Sequence, residues 1–406
     1  MKILFCCEQY APNVGGVQKV VQEIAEWLQK RGHEVSIATS FSAQRTRFTL
    51  NGVTIHQFKV TGNLVRGIEG DAEGYRTFVV GGNFDAILIY AAQQWTFDAL
   101  FPVLDRIKAR KFHVPCGYSA LYDPAFTQYF AEMPEILRKF SGLIFHSQDY
   151  RDFKFARDHG LNHCVVIPNG ASGHEFEMRK HLHTRSRLGI SPDEFVFLTV
   201  GNPPFAKGHS EVAQAYATAE LNRPSVLVLN GTYTLAEDPS KQRFQKALRA
   251  LARRFLGKGV NPFFDAIAHI RKSPGKRVIF CDLPRAELID LFFEANLFVF
   301  ASHIEYSPLV LFESAAAGLP FLTTIVGNSR EIVEWTGGGV IAASQQTREG
   351  RSRVDLSDFR QKMASLASDP DRLSELGRQG RASWLSRFTF EKLAVEYENA
   401  IAGQLP

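Results

Sequence analysis

The stretch LFVFASHIEYSPLVLFESAAAGLP, residues 297–320, decides how the rest of the chain is read. Its first five residues, Leu297 to Ala301, form an unbroken apolar run, as in a strand buried on both faces. Ser307 followed by Pro308 predicts a helix start, with Ser as N-cap and Pro at the first helical position, where its missing N–H costs nothing. Gly318 predicts the stop, because glycine enters the left-handed conformation cheaply. The stretch is therefore strand, loop, helix. Glu305 lies at the mouth of the loop and Glu313 within the first two turns of the helix, flanked by Phe312 and Ala315 to Ala317.

The same order of elements recurs on both sides of this stretch. Apolar strands are expected at Ile3 to Cys7, Val35 to Thr39, Asp85 to Tyr90 and Gly142 to His146. Between the first two, Val17 to Arg31 reads as a helix that sets Val20, Ile24, Trp27 and Leu28 on one face at 3.6-residue spacing, with Gly32 ending it. The pattern restarts with a strand at Phe195 to Val200, a loop at Gly201 to Gly208, a helix at His209 to Leu221 and a strand at Val226 to Leu229. Strand Val278 to Cys281, helix Arg285 to Ala295, strand Leu297 to Ala301, helix Leu309 to Ala317 and strand Phe321 to Thr324 continue it, and beyond about residue 355 helices take over. Alternation of this kind predicts an α/β fold of two doubly wound, Rossmann-like domains with parallel sheets. The join is expected around Pro168 to Arg187, with domains at 1–175 and 185–385 and a closing helix at 386–406.

Composition agrees with a folded two-domain protein. The 406 residues, 45% hydrophobic and 22% charged, exclude disordered and collagenous classes. Five cysteines without framework spacing suggest reduced thiols in a cytoplasmic protein. Only a short apolar stretch separates Lys2 from Glu8, so no signal peptide is expected. The net charge of +5 is local: residues 235–277 hold eleven Lys/Arg against three Asp/Glu. No nucleic-acid partner is implied. Within that segment, 241–258 carries Phe244, Leu248, Leu251 and Phe255 on one helical face and Arg249, Arg253 and Arg254 on others. Such a stretch either contacts an anionic membrane surface peripherally or packs its apolar stripe on its own domain.

In open α/β sheets ligands bind at the carboxyl ends of strands, and a helix N-terminus there favours an anion. Carboxylates beside a phosphate site suit sugar hydroxyls. Glu305 and Glu313, followed by Ala317-Gly318-Leu319-Pro320, resemble the Glu-x7-Glu motif of the large retaining glycosyltransferase family with two Rossmann-like lobes facing a cleft, called group 1 or family 4. Gly15-Gly16-Val17, Arg31 to Val35, Val166 to Gly170, and Gly201 with Lys207-Gly208 extend the resemblance over nearly the whole chain.

The resemblance implies a metal-independent hexosyltransferase without a cofactor. It would take a UDP or GDP sugar on the C-terminal lobe and a glycan or lipid-linked acceptor on the N-terminal lobe, in cell-surface polysaccharide biosynthesis. Glu305 would accept from the donor sugar and Lys207 would neutralise the diphosphate. Ser307 and Leu309 would lie near the diphosphate and sugar, Glu313 would bind the ribose, and Gly15 and Gly16 would let the first loop approach. Three positions depart from the family. Asn202, counted with the donor-binding residues, stands for a usual Arg, for which Arg330 or another cation would substitute. Cys116 stands for a usual His on the acceptor side, with His113 three residues earlier. Pro308 stands for a common Gly.

Two other activities fit the same residues: a nucleotide-sugar epimerase of this architecture, and a non-catalytic nucleotide-sugar or polyanion binder. Asp369-Pro370-Asp371 has the spacing of a metal-binding motif, but its context reads as a helix N-cap and first turn. His181 and His183 sit among cations and are expected to be solvated. Cys6 and Cys7 are expected to pack as small hydrophobes.

Overall fold

The computed structural model describes residues 1–13, 15–177, 183–233, 261–347 and 349–404. The chain divides into two compact units, Met1–Ser172 joined by the chain from Arg387 onward, and Gly173–Ser386. The basic stretch 241–258 and His181 lie outside the described residues. No described helix is long and apolar enough to cross a membrane.

The first unit contains β1 (Lys2–Cys6), α1 (Gly16–Lys30), β2 (Glu34–Ser40), β3 (Thr49–Leu50), β4 (Val53–Phe58), β5 (Val60–Asn63), β6 (Gly67–Gly70), α2 (Ala72–Gly81) and β7 (Ala86–Tyr90). It continues with α3 (Trp95–Asp98), β8 (Arg110–Val114), α4 (Thr127–Leu137), β9 (Gly142–Phe145), α5 (Arg151–Asp158) and β10 (Cys164–Val166). The sheet order is β10-β9-β8-β7-β1-β2-β4-β3, parallel except where β3 turns back on β4. β5 and β6 form a separate hairpin. Ile3, Leu4, Phe5 and Cys6 are fully buried, as a strand covered on both faces requires. Helix α1 begins one residue earlier than its pattern predicts and buries Val20, Val21, Ile24, Ala25 and Leu28. Trp27 is only half-buried and lies under the Lys30 ammonium. The half-buried, mixed-polarity strand β4 and the glycine-rich hairpin carry no apolar run, and sequence periodicity missed them.

The second unit runs through α6 (Thr184–Arg187), β11 (Phe195–Val200), α7 (His209–Thr218), β12 (Ser225–Asn230), α8 (Pro262–Lys272), β13 (Lys276–Cys281), α9 (Arg285–Glu294) and β14 (Leu297–Phe300). Next come α10 (Leu309–Ala317), β15 (Phe321–Thr324), α11 (Ser329–Thr336), β16 (Gly339–Ala342), a small hairpin of β17 (Ser344–Gln346) and β18 (Ser352–Val354), α12 (Leu356–Ala367) and α13 (Pro370–Arg387). The main sheet, β13-β12-β11-β14-β15-β16, is wholly parallel. Numbered within the unit this is 3-2-1-4-5-6, the doubly wound order, which reverses between β11 and β14. Every residue of β11, β12, β14 and β15 is buried. The Asp369 side chain accepts from the Arg372 N–H at 2.9 Å, so the Asp-Pro-Asp run opens a helix. The chain then returns to the first unit in α14 (Phe390–Ala402), which packs on α1.

Candidate active site

The reversal in strand order opens a crevice at the carboxyl ends of β11 and β14, where ligands of doubly wound domains bind. Lys207 comes from the loop after β11 and Glu305 from the loop after β14. Their side chains meet, Lys207 Nζ to Glu305 Oε1, at 2.6 Å. The Ser302 hydroxyl donates to the same oxygen at 2.8 Å. Lys207 keeps 27% of its side chain exposed and Glu305 11%, so the pair faces solvent on one side and can be reached by a ligand.

The two loops are laced together by their backbones. His303 N–H donates to the Ala206 carbonyl at 3.0 Å. Gly208 has φ +77° and a Cβ there would overlap the Ala301 carbonyl, so only glycine brings the Lys207 loop this close. On the other side Asn328 N–H donates to the Tyr306 carbonyl at 2.9 Å, and Gly327, at φ +55°, leaves no room for a Cβ against that carbonyl. The loop carrying Glu305 is thus held from both neighbouring strand ends.

Helix α10 spans Leu309–Ala317, as its pattern predicts, and differs from expectation at its cap. Pro308 is the N-cap, in extended conformation, and Leu309 the first helical residue; no side chain caps the helix. The expectation that Ser307 is the cap is corrected: the proline ring fixes φ equally well at the cap, and the turn is made by the Leu311 N–H to the Pro308 carbonyl. Ser307 is buried and Leu309 half-buried. One turn on, Glu313 has only 9% of its side chain exposed, and its Oε1 accepts from Arg285 Nη2 at 2.5 Å. Arg285 also reaches Glu175 Oε2 at 2.9 Å. Sequence reasoning missed Ser302, Glu175 and Arg285. The place of Arg285, in the first helical turn after a parallel strand, was the signal that could have marked it. Gly15 and Gly16 sit at the start of α1, with Gly15 the N-cap in extended backbone that any residue adopts.

Two family models match this chain: Glycosyl transferases group 1 over residues 182–382, and Glycosyl transferase 4-like domain over residues 15–170. The chain belongs to the glycosyltransferase group 1 family. A D-inositol 3-phosphate glycosyltransferase from Thermobispora bispora is 37% identical over 251 residues, covering 58% of this chain and 50% of that protein. The chain spans about half the length of the curated relatives it matches. Among solved structures, a sucrose-phosphate synthase from Thermosynechococcus elongatus aligns over 99% of this chain and 98% of its own with TM-score 0.72 and 16% identity. Anabaena HepE in complex with UDP and glucose aligns over 99% and 100% with TM-score 0.68 and 17% identity. These likenesses show the fold, that of glycosyltransferases built from two Rossmann-like domains.

Asn202, expected among the donor-binding residues, is engaged with the neighbouring loop. Its Oδ1 accepts from the Thr232 N–H at 2.6 Å and so clamps the loop after β12. Arg330 is exposed on the first turn of α11. His113 is corrected outright: it is a core residue, fully buried on β8, stacked on Phe97 with centroids 4.1 Å apart and bonded through Nδ1 to the Ile89 carbonyl at 3.0 Å. Burial holds its imidazole down at about 3, so it is neutral and faces no acceptor. Cys116 does lie at the strand end, in left-handed backbone at φ +56°. Burial first, and Asp152 second, push its thiol up to about 12, which leaves it protonated and unsuited to nucleophilic work.

Among the described residues Ala91, Gln93 and Tyr118 share positive φ with Cys116 near these strand ends, besides Asn51 and Asn83 elsewhere. Ala91, Gln93, Cys116 and Tyr118 follow β7 or β8, and strained backbone of this kind costs on the order of 1–3 kcal/mol per residue. Gln93 is tied down by a relay: its N–H donates to the Tyr129 hydroxyl at 3.0 Å, which donates to Asp98 Oδ1 at 2.6 Å. Leu64 N–H donates to Asp98 Oδ2 at 2.8 Å. Burial nevertheless pushes the Asp98 carboxyl up to about 6. The unfolded chain releases that proton near 3.9. Between these values the folded state binds more protons, so this group's contribution to stability is complete below about pH 4 and is lost as pH rises through about 6. Asp98→Asn sets an amide NH2 against one of the two donors, Tyr129 O–H or Leu64 N–H, and is expected to destabilise the protein by on the order of 1–3 kcal/mol at about pH 4, with a smaller deficit at about pH 7.5, where the wild type has lost this group's contribution. Thermal melts at both pH values check this.

Proposed function

We propose that the enzyme transfers a hexose from a UDP or GDP sugar to a hydroxyl of a glycan or lipid-linked acceptor, with retention of anomeric configuration, in cell-surface polysaccharide biosynthesis. The observation that carries this reading is the Lys207–Glu305 pair at the strand-order reversal of the second unit, with Glu313 eight residues along the same loop and helix. A diphosphate arriving there competes with Glu305 for the Lys207 ammonium, and the released carboxylate accepts from the sugar hydroxyls. Glu313 accepts from the ribose.

The acceptor oxygen attacks the anomeric carbon on the face from which the diphosphate leaves. The bond from that carbon to the phosphate oxygen breaks, and the acceptor proton passes to the departing phosphate. Negative charge grows on the leaving oxygens, and Lys207 stabilises it. On this reading no resident metal or other cofactor takes part, and the enzyme works in the cytoplasm, with any membrane contact peripheral.

The complex of HepE with UDP and glucose supports a nucleotide-sugar donor for this fold. The name of the Thermobispora relative adds an inositol phosphate to the acceptors worth testing. A panel of UDP and GDP sugars is expected to contain one that raises the melting temperature, since a ligand that binds only the folded state stabilises it. Incubation of that donor with the acceptor panel should give a product with the donor's anomeric configuration by NMR. If no nucleotide sugar stabilises the protein, the reading fails. Product formed from donor alone, without acceptor, indicates an epimerase instead.

A further inference from the structure

We infer that the second unit carries an accessory binding site for a hydroxylated phosphate monoester, in the cavity between the β17–β18 hairpin and the start of α7. The cavity measures about 410 Å³, room for a small phosphorylated ligand, and is lined in part by Glu211, His303, Arg351 and Arg353. Its residues are not those of the Lys207–Glu305 pair. His303 belongs to the loop that carries Glu305, but its imidazole turns to Glu211, Nε2 to Oε1 at 2.9 Å, while Glu305 meets Lys207. The Ser352 N–H donates to the His303 carbonyl at 2.7 Å, and this bond fixes the hairpin at the cavity rim.

The balance of charge indicates the class of ligand. Among the described residues Glu211 is the only carboxylate in the lining, and His303 answers it. Their hydrogen bond raises the imidazole above its ordinary value, against the opposing effects of burial and of Arg351, so the charged form of His303 is favoured. Arg351 and Arg353 are exposed, and among the described residues neither guanidinium meets a carboxylate. They flank Ser352 at the start of β18, so strand alternation sends both side chains to one face, about 7 Å apart along the chain. Two guanidinium forks at that spacing can close on one phosphate, whose tetrahedral oxygens use more of these donors than a planar carboxylate does. The rest of the lining suits the body of an ester. Val354 and Leu356 supply apolar carbon. Gln214 turns its Nε2 onto the Ser210 hydroxyl at 3.1 Å, which leaves its Oε1 to accept from a ligand hydroxyl.

Calorimetric titration of the full-length protein with glycerol phosphate, and with inorganic phosphate and glycerol at the same ionic strength, tests this. Glycerol phosphate is expected to bind at one site, inorganic phosphate more weakly, and glycerol not measurably. Arg351→Gln and Arg353→Gln should each weaken glycerol phosphate binding about tenfold or more, as for loss of a hydrogen bond to a charged group. Both arginines are exposed, so the melting temperature without ligand should stay at the wild-type value in each variant, which separates lost binding from lost folding. Lys207→Ala should bind glycerol phosphate within about threefold of wild type, which separates this cavity from the diphosphate position at Lys207. Absence of binding by the wild type, unchanged affinity in both arginine variants, or loss of binding in Lys207→Ala overturns the proposal. Inorganic phosphate binding as tightly as the ester overturns the assignment of the ligand class.

Discussion

Replacing Lys207 by Ala is expected to lower kcat for hexose transfer about 10²–10³-fold, the usual loss when a donor to a developing anion is removed. Nucleoside diphosphate binding should weaken with it. The size of the effect follows from what the neighbouring groups are doing. Asn202 is uncharged and bonded to the loop after β12, and Arg285 is taken up by two carboxylates. Among the described residues, these two side chains add little to Lys207 against the charge of the departing diphosphate. Steady-state kinetics with the stabilising nucleotide sugar provide the measurement. Near wild-type kcat in Lys207→Ala, together with an inactive Arg330→Ala, would hand the task to the exposed cation on α11.

Replacing Glu305 by Ala should cost transfer as much, on the order of 10²-fold or more in kcat, yet move nucleotide binding the other way. In the wild type the diphosphate must draw Lys207 away from Glu305. Without the carboxylate the ammonium is available at once, so nucleoside diphosphate should bind as tightly as before or tighter. Opposite signs for the two variants are hard to obtain from general damage to the fold. If Glu305→Ala weakens nucleotide binding in step with kcat, the carboxylate holds the loop rather than the sugar.

How far the sequence discloses this enzyme depends on whether a feature is local. The β14–α10 junction was legible because the evidence for it is consecutive: five apolar residues, a polar loop, a proline and a closing glycine. The doubly wound order followed from repetition of that unit. The hairpin of β17 and β18 was not legible, because its residues are polar and pair antiparallel away from the main sheet. His113 misled for a different reason. In a strand buried on both faces, position along the strand does not reveal whether a side chain points toward a ligand or toward Phe97. The Arg285 cluster joins three places, 175, 285 and 313, that are distant in sequence, and no periodicity reports such a meeting.

The last helix has a consequence for how the protein is made. α14 buries Phe390, Leu393, Ala394, Tyr397, Ala400 and Ile401 in the unit that begins at Met1. Glu398 pairs there with Arg31 and His33, and Arg110 donates to the Ile401 carbonyl at 2.5 Å. The first unit is therefore discontinuous in the chain, with the second inserted into it. On a ribosome moving at about 5–20 residues per second, the surface that receives α14 stays uncovered for roughly 10–40 s while residues 173–386 are synthesised. The nascent chain carries an open apolar seam for that interval, and a message cut short before residue 390 leaves it open for good.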